Sequence, residues 1–347
     1  MDKKDKVILS VDYPQITSWQ WHAALFSILG KENYAQDWIY SNYIQIRSYF
    51  DKDANSKSDI LFVDCMPSDN SLKDCPYLLA QPITQQQILT YSGDFLQFLL
   101  KSLDMSYYIF GICDETDMLN REWRILHQIF IYGYDLEKQV FHVGDFTFTG
   151  KFSYTTVPFK TLVEGFLKVK PGEDFVFDAE HKDMYGLYLL SKNLGKKYYS
   201  FDAKYVKRNI NEYLNCTNTE EHYRHNRNYE DKFIFGVDVY TAIVKQITLL
   251  EEGIVERYDY RPFHVIYDHK VLMKDRLQYM MDNNYIPNDH AILDDYEEVK
   301  KTVLFTRNSF LRASNKRDLS LLSKVKTHLM NAKEKEIEVL TRVEGLL

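Results

Sequence analysis

The chain has 347 residues, 45% of them apolar and 27% charged, with a formal net charge of -7 at neutral pH. That length leaves room for two domains that each bury a core. The acidic balance, with no long basic run, excludes the electrostatic footprint of a nucleic-acid binder. No apolar run approaches the roughly 20 residues needed to cross a membrane. Val7-Ile8-Leu9, after a charged start, falls far short of the about 7–15 residues of a secretory core. A cytoplasmic chain with no membrane partner is expected. Its four cysteines, Cys65, Cys75, Cys113 and Cys216, show no CxxC spacing and are expected to be reduced thiols.

In chain order, Trp21, Ala24, Leu25, Ile28 and Leu29 fall on one helical face and predict a helix from about Ser18 to Gly30. Thr17 and Gln20 have the spacing of a capping box. A second helix is expected over 34–49, a polar loop over 51–58, a strand over 59–65 and a helix over 92–102. Strands are expected over 107–113, 125–134 and 139–148, with 151–156 as a further candidate. The short link Asp135-Leu-Glu-Lys suits an antiparallel hairpin. A short amphipathic helix over 158–169 ends near Pro171-Gly172. Beyond Asp178 helical patterns dominate: 202–214, 233–250, 262–283 and 294–313.

The segment 319–347 places Leu322, Val325, Leu329, Ala332, Val339, Val343 and Leu346 at heptad-like spacing, interrupted by Glu336. It can serve as a seam inside a helical bundle or as the coiled coil of a homodimer. The expected fold class is α+β, with a mixed domain over 1–175 and a helical domain over 176–347.

The residues that suggest chemistry are His127, which enters one strand of the hairpin, and Asp145, which leaves the next. An imidazole there can take a proton from a nucleophile while a carboxylate on its far side fixes the tautomer. Two clusters have ligand-type residues at helical spacing: Glu221, His222 and His225, and His264, Asp268 and His269. Arg224 and Arg227 crowd the first, and neither has an H-E-x-x-H or CxxC pattern, so no metal site is expected. No Gly-rich phosphate loop or G-x-S-x-G elbow is present.

The run H-x-I-x-I-Y-G-Y-D from His127, the F-x-V-x-D-F ending at Phe146, and Gly150-Lys-Phe-Ser-Tyr resemble the second half of the papain-like fold of bacteriocin-processing cysteine peptidases. They are still more similar to the N-terminal domain of the butirosin biosynthesis protein H family. The helix Gln20-Trp-His-Ala-Ala-Leu-Phe-Ser-Ile-Leu29 matches that family's nucleophile helix, and 259–270 resembles its helical C-terminal part. The resemblance implies a papain-like N-terminal domain that transfers acyl or peptidyl groups from a carrier-protein thioester in non-ribosomal natural-product biosynthesis, without a cofactor. It implies His127 as base and Asp145 as its orienter, with Gln20 at the nucleophile position and Gln15, Trp21 and His22 on the substrate side. Gln20 stands where the family has its cysteine, and a carboxamide forms no acyl-thioester. The alternative is therefore a pseudoenzyme that binds a carrier protein or peptide and scaffolds a partner enzyme.

Overall fold

The computed structural model describes residues 4–30, 32–50, 61–66, 71–174, 185–193, 199–219 and 233–347. The expected loop at 51–58 and the cluster Glu221, His222 and His225 lie outside them. The first half of the chain forms β1 (Lys6–Ile8), α1 (Gln20–Leu29), α2 (Asn33–Asn42), β2 (Gln45–Phe50), β3 (Leu61–Met66), α3 (Ser71–Asp74), β4 (Leu78–Thr84), α4 (Gln85–Ser92), α5 (Phe95–Asp104), β5 (Tyr108–Asp114), β6 (Leu126–Asp135), β7 (Val140–Asp145), β8 (Ser153–Pro158) and α6 (Phe159–Leu167). The second half forms β9 (Gly186–Lys192), α7 (Ala203–Leu214), β10 (Phe233–Phe235), α8 (Asp238–Glu251), α9 (Arg261–Asp282), α10 (His290–Lys316) and α11 (Leu322–Leu346). Helices and antiparallel sheets occur together, as α+β. Among the described residues, no helix is long and apolar enough to cross a membrane.

The chain divides into two compact units, one of Met1–Glu32 with Asn70–Tyr198 and the other of Asn33–Asp69 with Tyr199–Leu347. This corrects the expected division at 175/176 in two ways. Residues 33–69 belong with the later helices, and β9 belongs with the earlier sheet.

In the first unit the strands run β4-β9-β5-β6-β7-β8, all neighbours antiparallel, and β1 also pairs with β6. The run Leu187-Tyr-Leu-Leu190 is buried throughout, as suits a strand flanked on both edges. The β6–β7 hairpin forms as expected, with a register shift between Ile131 and Gly133. At Gly133 a Cβ would lie 2.4 Å from the Val7 carbonyl oxygen, so only glycine lets β1 pair there. One sheet face supplies Ile109, Ile129, Ile131 and Val143 to a core with Leu99 and Leu103 of α5 and Leu162 and Phe166 of α6. Each such side chain contributes about 1.5–3 kcal/mol when fully buried. Asp94 caps α5 by accepting from the Gln97 amide at 3.1 Å.

The second unit is not purely helical. It holds a three-stranded antiparallel sheet, β10-β2-β3. The helix expected over 34–49 stops at Asn42 because Arg276, wholly buried on α9, donates to the carbonyls of Tyr40 and Tyr43, both at 2.5 Å. A guanidinium at a helix C-terminus satisfies its last carbonyls and complements its dipole. Beyond that point Ile44, Ile46 and Ser48 are buried, and β2 is the central strand. Likewise the helix expected from 233 begins at Asp238. Gly236 (φ 60°) turns the chain between β10 and α8, where a Cβ would lie 2.0 Å from the Tyr213 carbonyl oxygen. On α11, Leu322, Val325, Leu329, Ala332, Val339 and Val343 are all buried within the chain itself, packed with α7, α8 and α10. That apolar seam is internal, so a homodimer would need another face of 319–347.

Candidate functional site

Strand alternation and hairpin register bring the first pair together. Phe130 pairs with Gly144, so Asp145, one step further, comes level with Ile129 on the face that also carries His127. His127 Nδ1 lies 3.1 Å from Asp145 Oδ1 and 3.8 Å from Glu115 Oε1. The ring N–H is not aligned along either contact as a hydrogen bond, as is common in acid–base sites without substrate. The imidazole is 31% exposed, whereas both carboxylates are 0% exposed. The ring of Phe146 meets the imidazole edge-on at 6.3 Å, and Phe152 packs behind it.

Asp145 is anchored by its own loop. Its Oδ1 accepts from the Phe146 amide at 2.6 Å, and its Oδ2 contacts the Thr147 hydroxyl. Thr147 Oγ1 also lies 2.6 Å from Glu115 Oε2. Burial is the main cause that pushes the Glu115 carboxyl up to about 9, and the charge of Asp145 is the next. The neighbouring Asp114 goes the other way. Burial raises its carboxyl, but hydrogen bonds from Thr116 and Arg124 outweigh that and hold it low. Arg124 donates to Asp114 at 2.8 Å and spends the rest of its guanidinium on Glu173 and the Lys168 carbonyl.

Gln20 is the first residue of α1. The expected capping box does not form: Trp19 is the N-cap, and it makes no side-chain capping bond. The Gln20 carboxamide turns instead toward the sheet and donates through Nε2 to the Gly144 carbonyl at 2.5 Å. It is 2% exposed, and its Oε1 is buried without a hydrogen-bond partner. The helix start thus reaches the peptide that precedes Asp145. Of the residues assigned to the substrate side, His22 is buried and its Nε2 accepts from Trp21 Nε1 at 3.2 Å. Trp21 in turn stacks on Trp19 at 4.9 Å. His22 is therefore packed beside its neighbour. Gln15 is exposed in the segment before α1.

None of the four thiols is a ready nucleophile. Cys113 is the cross-strand partner of His127, but it is fully buried, with its Sγ against the Leu162 carbonyl. Burial pushes its thiol well up, and the charges of Glu115, Asp114 and Asp145 add to that. Burial also raises the thiols of Cys65, Cys75 and Cys216. Raised thiols of this kind are poor nucleophiles near neutrality.

Two members of the site escaped the sequence reading, Glu115 and Thr147. Glu115 follows the end of β5, opposite the start of β6, and Thr147 lies one alternation past Asp145. With His127 and Asp145, Glu115 forms a group whose ligand-type atoms lie within 4.8 Å of one another, a geometry that can hold a metal ion and that the expectation of no metal site did not foresee. The other candidate metal cluster does not form. His269 uses Nε2 on the Ile44 carbonyl (2.7 Å) and Nδ1 on the Lys270 ammonium (2.8 Å). Burial pushes the His264 imidazole down to about 4, with Arg307 adding to the effect.

Compared with known proteins, the chain matches no protein-family model and no curated protein.

Proposed function

We propose that the first unit is a papain-like acyl-transfer domain that works without a thiol of its own, moving an acyl or peptidyl group from a carrier-protein thioester to an amine. The observation that carries this reading is the 3.1 Å contact between a half-buried His127 and a wholly buried Asp145. It lies one peptide away from the carbonyl held by the first residue of α1. The motifs around these residues supply the resemblance to thiotemplated natural-product enzymes. With Nδ1 turned to Asp145, Nε2 of His127 is left for the reacting group.

In this mechanism the amine attacks the thioester carbonyl directly while His127 takes its proton. The carbonyl oxygen becomes an oxyanion, stabilised by main-chain amides at the start of α1. Collapse forms the amide bond and breaks the C–S bond, and the imidazolium returns the proton to the departing thiolate. Asp145 stabilises that imidazolium.

The test is to load an aminoacyl carrier protein, supply an amine and follow amide formation by mass spectrometry. His127→Ala is expected to lower turnover about 10²–10⁴-fold, the usual range for losing a general base. Unchanged turnover would overturn the mechanism.

A second reading has its own observation. The Gln20 carboxamide, in the position that the resemblance gives to a nucleophile, is tied to the Gly144 carbonyl, which suits a pseudoenzyme that binds a carrier protein or peptide. Carrier-protein binding that survives His127→Ala, with no turnover by either form, would favour it.

A further inference from the structure

We infer that Glu115, His127 and Asp145 form a binding site for one divalent cation, with Zn2+ the best match. Their ligand-type atoms already lie within 4.8 Å of one another. His127 Nδ1 is 3.1 Å from Asp145 Oδ1 and 3.8 Å from Glu115 Oε1. Zinc sits about 2.0–2.1 Å from an imidazole nitrogen or a carboxylate oxygen, which sets neighbouring ligands of a tetrahedron about 3.3–3.4 Å apart. The two separations bracket that edge, so small shifts of the side chains seat an ion.

Proximity alone does not make a site, and the second observation is a pair of orphaned atoms. Glu115 is wholly buried and its Oε1 has no hydrogen-bond partner. His127 Nδ1 is buried as well, and it is aligned for a hydrogen bond with neither carboxyl oxygen near it. Buried polar atoms are normally satisfied. A cation between these two completes both at once.

Charge points the same way. Two carboxyl groups with no exposed surface meet here, and apart from His127 neither has a basic partner among the described residues. Arg124 is occupied by Asp114 and Glu173, and Lys168 on α6 by Asp117. Buried charges are as a rule paired or bound to metals.

The frame suits coordination. The Glu115 amide donates to the Ile125 carbonyl at 2.8 Å, which carries the β5–β6 ladder one residue further. His127 stands opposite Cys113 in that ladder, and Asp145 ends β7. Three neighbouring strands thus supply one ligand each. Metal-binding carboxylates are held from behind by hydrogen bonds. Here Asp145 Oδ1 accepts from the Phe146 amide at 2.6 Å, and the Thr147 hydroxyl contacts Asp145 Oδ2 and, at 2.6 Å, Glu115 Oε2. A carboxylate oxygen has two lone pairs, so one such bond leaves the other free for an ion. One nitrogen with two oxygens and no thiolate suits Zn2+, whereas Mg2+ and Ca2+ take six or more ligands, nearly all oxygen.

This site goes beyond the acyl-transfer reading and does not depend on it. The two meet at the imidazole. An ion on Nδ1 withdraws basicity from Nε2, so that reading makes the loaded chain an inactive form.

The experiment strips the full chain with a chelator and titrates it with Zn2+ by calorimetry. The expected result is one Zn2+ per chain, lost in Glu115→Gln and in His127→Gln. It should be retained in His222→Gln, which alters the other histidine cluster of the sequence. Thr147→Val keeps all three ligands and is expected to bind about 10–100-fold more weakly. In wild-type chain with 15N-labelled histidine, Zn2+ should move the Nδ1 resonance of His127 as the bound nitrogen, a readout made without any substitution in the protein observed. A chain that takes up no Zn2+, an ion kept by both Glu115→Gln and His127→Gln, or coordination through Nε2 overturns the proposal. None of these measurements involves a thioester, so absence of acyl transfer counts against that reading and leaves the ion site standing.

Discussion

Each unit buries a glutamate completely, and the two are treated in opposite ways. Glu336 of α11 meets the Lys270 ammonium at 2.7 Å from both oxygens. It also accepts from the hydroxyls of Tyr213 at 2.9 Å, Tyr240 at 2.8 Å and Tyr296 at 2.5 Å. Lys270 has a further partner in His269, whose other nitrogen faces the Ile44 carbonyl in the turn before β2. Every donor there has an acceptor, the charges cancel, and none of the central groups is exposed. Glu115 has one hydroxyl, a second carboxylate beside it and an imidazole that reaches solvent. A network with all its valences filled specifies packing. A buried acid left short of donors beside a half-buried imidazole is equipped to exchange protons.

The sharpest way to break this contrast is to unbalance the filled site. Lys270→Met leaves Glu336 as a buried charge without its cation, which should cost about 3–5 kcal/mol in urea unfolding. The double variant Lys270→Met with Glu336→Leu removes both charges and should recover most of that loss, because an apolar pair often replaces a buried ion pair at little cost. A double variant as unstable as the single one would mean that the tyrosines, rather than the ion pair, hold the helices.

The smaller effect belongs to Glu115 and depends on pH. Its carboxyl is raised from about 4.5 to about 9 on folding, so the folded chain keeps a proton that the unfolded chain gives up first. Its contribution is intact below about pH 4.5 and is lost as pH rises toward 9. Glu115→Gln removes that slope. Relative to the wild type it should gain roughly 2–3 kcal/mol between pH 6 and pH 8. Parallel urea curves at the two pH values make the check, and no difference between them would put Glu115 among the ordinary carboxylates.

The contrast also marks how much the sequence could disclose. The His127 and Asp145 hairpin was legible because strand alternation and a short turn are local rules, and the apolar stripe of α1 was legible for the same reason. The position of β9 was not, since its partner β4 lies about a hundred residues earlier and pairing at that distance leaves no local trace. The end of α2 was set by Arg276, more than 230 residues away. Glu115 and Thr147 carry no motif. They become partners of the hairpin pair only once β5, β6 and β7 lie side by side.

Gln20 gives the finest test, because its T-x-x-Q spacing obeyed a local rule that a distant carbonyl overrode. Gln20→Ala removes the side-chain donor to the Gly144 carbonyl, a loss of about 0.5–1.5 kcal/mol. Removing the unpartnered Oε1 offsets part of that, so a net loss of at most about 1 kcal/mol is expected. A capping residue would cost a similar amount, and stability alone therefore does not separate the two roles. The 13C shift of the Gly144 carbonyl does. It should move in Gln20→Ala while the Thr17 amide stays in place, because the side chain is bonded to the sheet and not to its own helix start. The reverse pattern would return Gln20 to the helix cap and leave the His127 and Asp145 pair without a tie to α1.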